Sequence, residues 1–139
     1  MAKLVASWSK DPSVQVGAVI VKGKKVVGIG YNGFPKGVHD FSDRLMNREL
    51  KLELVVHAEV NACLDAGKDA EGGTLYVWPT LMVPNICPNC AKVAVQAGIK
   101  EVVGIQTADL SERWMKYAGT SNLLCTEGGI TYRMIKGED

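Results

Sequence analysis

His57-Ala58-Glu59 and Cys87-Pro88-Asn89-Cys90 put an imidazole, a carboxylate and two thiols into two short runs thirty positions apart. One imidazole nitrogen and two thiolates make three good zinc ligands, and Glu59 need not be a fourth. A structural zinc closes its tetrahedron with four protein side chains, whereas three leave a position for a water whose pKa the metal lowers. The charge count fits that division: with Cys87 and Cys90 as thiolates and His57 neutral, the ligands cancel the two positive charges of the ion. Glu59 is then left to move protons, provided that burial raises its pKa from the solution value. The residues read as a hydrolytic centre in which His57, Cys87 and Cys90 hold metal and Glu59 is the catalytic acid and base.

Competing readings explain less. A thioredoxin-like role for Cys87 and Cys90 leaves His57 and Glu59 without a purpose. The chain has four cysteines and no secretory signal, which favours metal binding over disulfides. Cys63 lies six positions beyond His57 and so points to another helix face, and Cys63 and Cys125 are read as core or surface thiols. His39 in a loop has no evident partner ligand. Asn32, just before Gly33, fits either a turn residue or a substrate contact. Trp78, Trp114 and Tyr117 are read as core aromatics and Lys68 as a solvated side chain.

The elements that position the motifs can be laid out from periodicity. Lys3 to Ser9 is a short amphipathic helix with Leu4, Val5 and Trp8 at helical spacing. Val16 to Val21 and Val26 to Tyr31 form a β-hairpin around Lys22-Gly23-Lys24-Lys25. Asn32 to Gly37 breaks regular structure, and Arg44 to Leu54 is helical. Two α-β units follow: a helix from His57 to Ala66 stopped by Gly67 with a strand at Thr74 to Pro79, and a helix from Cys87 to Ala97 stopped by Gly98 with a strand at Glu101 to Gln106. A last helix spans Ser111 to Tyr117, with a short strand near Leu123 and an irregular tail. Parallel strands joined by helical crossovers bring the helix starts to the carboxyl edge of the sheet. Both motifs then meet there, with two positive helix ends favouring thiolate and hydroxide. Cys87 and Cys90, three positions apart, share a helix face, as one metal requires.

Bulk properties narrow the class. The 139 residues, 47% of them hydrophobic, suffice for one core, so residues 1–139 are read as a single domain. Sixteen basic and fifteen acidic side chains leave a net charge of +1, which argues against a broad nucleic-acid surface. No apolar run approaches the roughly 20 residues of a membrane span, so no membrane partner is expected and the default location is the cytoplasm.

Taken in order, Ser9-Lys10-Asp11-Pro12-Ser13, Gln15-Val16-Gly17-Ala18, Gly30-Tyr31-Asn32-Gly33-Phe34-Pro35-Lys36-Gly37, His57-Ala58-Glu59-Val60-Asn61-Ala62, Cys87-Pro88-Asn89-Cys90-Ala91-Lys92 and Gln96-Ala97-Gly98-Ile99 resemble the deoxycytidylate (dCMP) deaminases. The H-x-E and C-x-x-C motifs are shared by zinc nucleobase deaminases in general. The Gly-Tyr-Asn-Gly-Phe-Pro and Ser-Lys-Asp-Pro segments narrow the resemblance to the dCMP branch, which it covers from about residue 7 to residue 106. The resemblance implies an α/β fold of three α/β/α layers around a mixed five-stranded sheet, and hydrolysis of dCMP to dUMP and ammonia. It implies zinc on His57, Cys87 and Cys90, Glu59 as proton shuttle, and substrate contacts from Asn32 and Ala58. It further implies a homohexamer activated by dCTP and inhibited by dTTP, each with Mg2+, at an effector site near Gly30, Asn32, Gly33 and Lys36. Where that family carries Pro directly before the first zinc cysteine, this chain has Ile86, with Pro84 two residues earlier. The alternatives are a zinc deaminase of another base (tRNA adenosine, a free nucleoside or dCTP) and a catalytically silent zinc module. Near-neutral charge argues against the tRNA option, and the intact Glu59 argues against the silent module.

Overall fold

The computed structural model describes residues 1–80, 86–106 and 118–136. Its strands are β1 (Gly17–Lys22), β2 (Lys25–Tyr31), β3 (Thr74–Trp78), β4 (Glu101–Gln106) and β5 (Thr131–Lys136), in one sheet of order β2-β1-β3-β4-β5. β1 pairs antiparallel with both β2 and β3, whereas β3, β4 and β5 are parallel. Every strand except β1 therefore ends at the same sheet edge. The hairpin closes through Gly23, whose φ of +64° suits a residue without a side chain.

The helices are α1 (Ala2–Ala6), α2 (Ser42–Met46), α3 (Arg48–Leu54), α4 (Ala58–Ala66), α5 (Pro88–Ala97) and α6 (Ala118–Glu127). α4, α5 and α6 cover one face of the sheet, where Ala18, Ile20, Leu75, Val77 and Val102 bury against the helices' alanines and cysteines. α1 covers the other face, packing Ala2 and Val5 on Val19. These are the three α/β/α layers, and strand alternation sends successive β1 residues into the two cores.

Close approach explains which small residues sit where. A Cβ on Gly28 or Gly30 would run into the α4 backbone and Ala66, so α4 settles directly on β2 through Ala58, Ala62 and Ala66. Because β2 is an edge strand, its outward groups are taken up by α4. Asp65 Oδ2 accepts from Ile29 N at 3.0 Å, and Asn61 Nδ2 donates to Tyr31 O at 2.9 Å.

Several elements differ from the sequence reading. The first helix, expected from Lys3 to Ser9, is α1 and ends at Ala6; it turns Ala2, Val5 and Ala6 inward and leaves Leu4 61% exposed, with Trp8 beyond its end 48% exposed, because a Cβ on Gly17 would meet Ala2 and Ala6 and only small residues fit there. The helix expected from Arg44 to Leu54 is two helices broken at Asn47, whose Oδ1 accepts from Leu50 N at 3.2 Å and caps α3. Leu123, expected on a short strand, lies in α6, and the expected irregular tail is β5. The helix expected at Ser111 to Tyr117, with Trp114 and Tyr117, lies outside the described residues.

Candidate metal centre and active site

His57 is the N-cap of α4 and Cys87 the N-cap of α5, both with extended backbone. Neither side chain caps its own helix. They turn toward each other instead, and Pro88 suits the first helical position that follows Cys87. The entry to α4 is fixed by a backbone bridge one residue earlier: Gly33 N donates to Val56 O at 3.2 Å and Val56 N to Gly33 O at 2.7 Å. The entry to α5 is fixed from α6, where the buried Ser121 hydroxyl donates to Ile86 O.

His57 Nδ1 lies 3.2 Å from Cys90 Sγ and 3.4 Å from Cys87 Sγ, and the three ligand atoms all fall within 4.8 Å of one another. A tetrahedral zinc with ordinary bond lengths separates N from S by about 3.6 Å and S from S by about 3.8 Å. The donor set and its spacing fit zinc with one corner of the tetrahedron left over. The three predicted ligands are thus brought together, and they are the one such His/Cys/Asp/Glu group among the described residues.

The protons on this triad are arranged for exchange with a metal. The Cys90 thiol, hydrogen-bonded to Cys87, holds Cys87 down to about 4, while Cys90 itself is pushed well above its ordinary value by that shared bond and by burial. The bond to Cys87 raises His57 to about 8. Glu59, in the first turn of α4, is buried, and desolvation raises its pKa against the opposing charge of His57. A buried carboxyl that holds a proton more readily than in water is what proton shuttling at neutral pH needs.

The other predicted residues divide. Ala58 is fully buried at the start of α4, against Gly30, and Gly30 is the position where α4 touches β2. Asn32 is buried just past β2: Oδ1 accepts from Val16 N at 2.8 Å, and Nδ2 donates to Val14 O at 2.9 Å and to Asp11 Oδ2 at 3.4 Å. Gly33 forms the bridge that leads to His57, and Lys36 is exposed in the following loop. Cys63 is buried in the core, where burial pushes its thiol up to about 11, and His39 stacks on Phe41 with ring centroids 4.9 Å apart. Two residues escaped the sequence reading. Lys51 is buried on α3 while its neighbour Leu52 is exposed, the reverse of what side-chain type predicts. Ser121 lies in a segment with little helical amphipathicity to reveal it.

Comparison with known proteins agrees with this geometry. A family profile for the cytidine and deoxycytidylate deaminase zinc-binding region matches residues 1–106. An uncharacterized deaminase of Aliivibrio fischeri is 44% identical over 131 residues, covering 94% of this chain and 85% of that protein. Human deoxycytidylate deaminase is 39% identical over 142 residues, covering 96% and 74%. The crystal structure of dCMP deaminase from cyanophage S-TIM5 in complex with dCMP and dUMP superposes with a TM-score of 0.67 at 26% identity, covering 98% of this chain and 90% of that one. With His57, Glu59, Cys87 and Cys90 all inside the matched region, the chain belongs to the cytidine and deoxycytidylate deaminase family of zinc enzymes.

Proposed function

We propose that this chain hydrolyses dCMP to dUMP and ammonia, supplying dUMP for thymidylate synthesis in the cytoplasm as a single deaminase domain. The observation that carries this reading is the convergence of His57, Cys87 and Cys90 at two adjoining helix starts with the buried Glu59 beside them. When bound by those three side chains, zinc supplies the Lewis acidity that makes water a nucleophile at neutral pH. The chain's own contribution is proton movement. Glu59 takes a proton as water adds to C4 of cytosine, delivers it to N3, and passes the next one to the departing amine. Its raised pKa lets one carboxyl serve as base and then acid. Asn32 and the start of α4 at Ala58 contact the nucleotide.

The regulatory half of the reading places magnesium-bound dCTP as activator and dTTP as inhibitor near Gly30, Asn32, Gly33 and Lys36, in a homohexamer. A cleft of about 180 Å³ at this segment supports it. Its wall offers the edge-to-face pair Trp8 and Tyr31, with centroids 6.3 Å apart, and the exposed ammonium group of Lys10, which pairs with Asp40 at 2.8 Å. Aromatic faces and ammonium groups are what a base and a polyphosphate require.

The test is dUMP formation from dCMP by zinc-loaded protein, with and without magnesium-dCTP and magnesium-dTTP. Turnover that dCTP raises and dTTP suppresses is the expected result. Turnover indifferent to both leaves the deaminase and removes the effector site, and no turnover on dCMP overturns the substrate.

A further inference from the structure

We propose that Lys51 and Asp11 are positioning residues: their buried ion pair fixes the side-chain amide of Asn32 so that Oδ1 offers one acceptor to the sugar hydroxyl of the nucleotide. The inference rests on the reading of this chain as a dCMP deaminase.

Lys51 Nζ lies 3.0 Å from Asp11 Oδ1, with the side chains only 7% and 9% exposed. The pair joins α3 to the loop after α1, forty positions away in sequence. Removing two charges from water offsets most of their attraction, so a buried pair contributes little to net stability compared with apolar residues of the same size. What it contributes here is orientation. Asp11 Oδ1 also accepts from Ser13 N at 2.8 Å and Val14 N at 3.2 Å, shaping the turn that presents Val14 O. Asp11 Oδ2 and Val14 O are the two acceptors of the Asn32 amide hydrogens. The donor side of Asn32 is thus set entirely by Asp11 and by the turn that Asp11 holds. Ser9 Oγ, which accepts from Asp11 N at 3.2 Å and donates to Asn32 O at 2.7 Å, ties the same loop to the Asn32 backbone.

The amide orientation follows from its partners. Val16 N–H can only donate and Val14 O can only accept, so oxygen and nitrogen of Asn32 cannot exchange places. With both hydrogens committed, the remaining capacity is the second lone pair of Oδ1. That group cannot hold a phosphate oxygen, which is itself an acceptor, but it accepts from a hydroxyl. dCMP carries one sugar hydroxyl, at the 3′ carbon. Lys51 also lies on α3, and the extended residues Val55 and Val56 that follow this helix lead directly to His57, so one stretch of chain carries both the positioning lysine and a metal ligand.

The experiment compares the parent with the double variant Asp11→Asn, Lys51→Met, which is neutral, keeps an oxygen for Ser13 and Val14, and preserves the Lys51 stem. Both zinc-loaded proteins are assayed without effectors on dCMP and on its 3′-deoxy analogue. For dCMP, KM is expected to rise about tenfold with kcat held within about twofold, the loss of one oriented hydrogen bond. On the analogue, the two proteins are expected to differ by less than about twofold, since the contact is already missing. Equal losses on both nucleotides, or no loss on dCMP, overturn the proposal. If the parent turns over neither nucleotide, the substrate reading fails separately. The positioning role is then decided by solvent exchange of the Asn32 side-chain amide, slow in the parent and fast in the variant if the pair holds it. Unchanged exchange overturns it.

Discussion

The two helices that build the metal centre are anchored in different ways. α4 lies on the sheet with its alanine stripe against Gly28 and Gly30, and its entry is pinned by the Gly33 to Val56 bridge. α5 packs its buried Cys90, Ala91 and Ala94 into the core and leans on α6, which also holds its entry through Ser121 and Ile86. The division of chemistry follows the division of anchoring. The helix held by backbone contact carries His57 and Glu59, the carboxyl proposed to move protons, a role in which small displacements matter most. The helix secured from the far end of the chain carries two of the three ligands, whose positions a bound metal itself would help to fix.

Removing one side chain from each helix breaks the comparison most sharply. Glu59→Gln is expected to retain stoichiometric zinc and to lose about a thousandfold in kcat, the scale of general acid and base catalysis. Cys87→Ala on the partner helix is expected to lose the metal itself along with much of the stability. Metal analysis beside single-turnover kinetics separates the two, and near-parental turnover by Glu59→Gln excludes the shuttle.

Gly30→Ala attacks the anchoring of α4. The added Cβ meets the backbone of Ala58, Asn61 and Ala62, so helix and strand must separate. Overpacking of this kind costs about 3 kcal/mol, readable as a lower denaturation midpoint. Since α4 also carries Glu59, turnover per bound zinc is expected to fall as well. A variant of parental stability shows that α4 does not rest on β2 in this way.

The same contrast marks what could be read from residues alone. β1, β2, α4, β3, α5 and β4 fall within a residue or two of their expected spans, because each has strong local signals: β-branched runs for strands, and Gly67 and Gly98 stopping the helices. His57, Cys87 and Cys90 meet as their spacing required. The far end was misread for physical reasons. α6 contains Gly119, Thr120, Ser121 and Asn122, poor helix formers that tertiary contact with α5 holds in place. β5 did carry a signal: Tyr132 and Met134 are half-buried and alternate with exposed Thr131, Arg133 and Ile135, after the turn at Gly129. Lys51 carried none, since its burial depends on Asp11, which only the fold brings within reach.

Acidity sharpens the comparison by loading the two helices with different protons. Without metal, His57 on α4 keeps its proton below about 8, Cys90 on α5 keeps its own throughout the neutral range, and Cys87 has lost its proton above about 4. Each retained proton must leave for zinc to bind, so affinity rises with pH. Below the His57 value two protons are displaced and affinity grows about a hundredfold per pH unit; above it one is displaced and the growth drops to about tenfold. Calorimetric titrations with zinc in buffers of different ionisation enthalpy count these protons directly. A release that does not fall across pH 8 removes His57 from the pair of retained protons.

The smallest effect is expected at the α5 entry. Ser121→Ala deletes the hydroxyl that donates to Ile86 O, costing about 1 kcal/mol, the net worth of one buried hydrogen bond. For a chain of this size that lowers the denaturation midpoint by about 3 °C. Because bound metal holds Cys87 and Cys90 to His57, the loosened entry is expected to show as faster zinc loss to a chelator, with turnover per bound zinc unchanged. Gly30→Ala is expected to do the reverse, lowering turnover on molecules that still hold zinc. If Ser121→Ala lowers turnover per zinc as far as Gly30→Ala does, proton transfer depends equally on both helices, and the difference in their anchoring has no catalytic meaning.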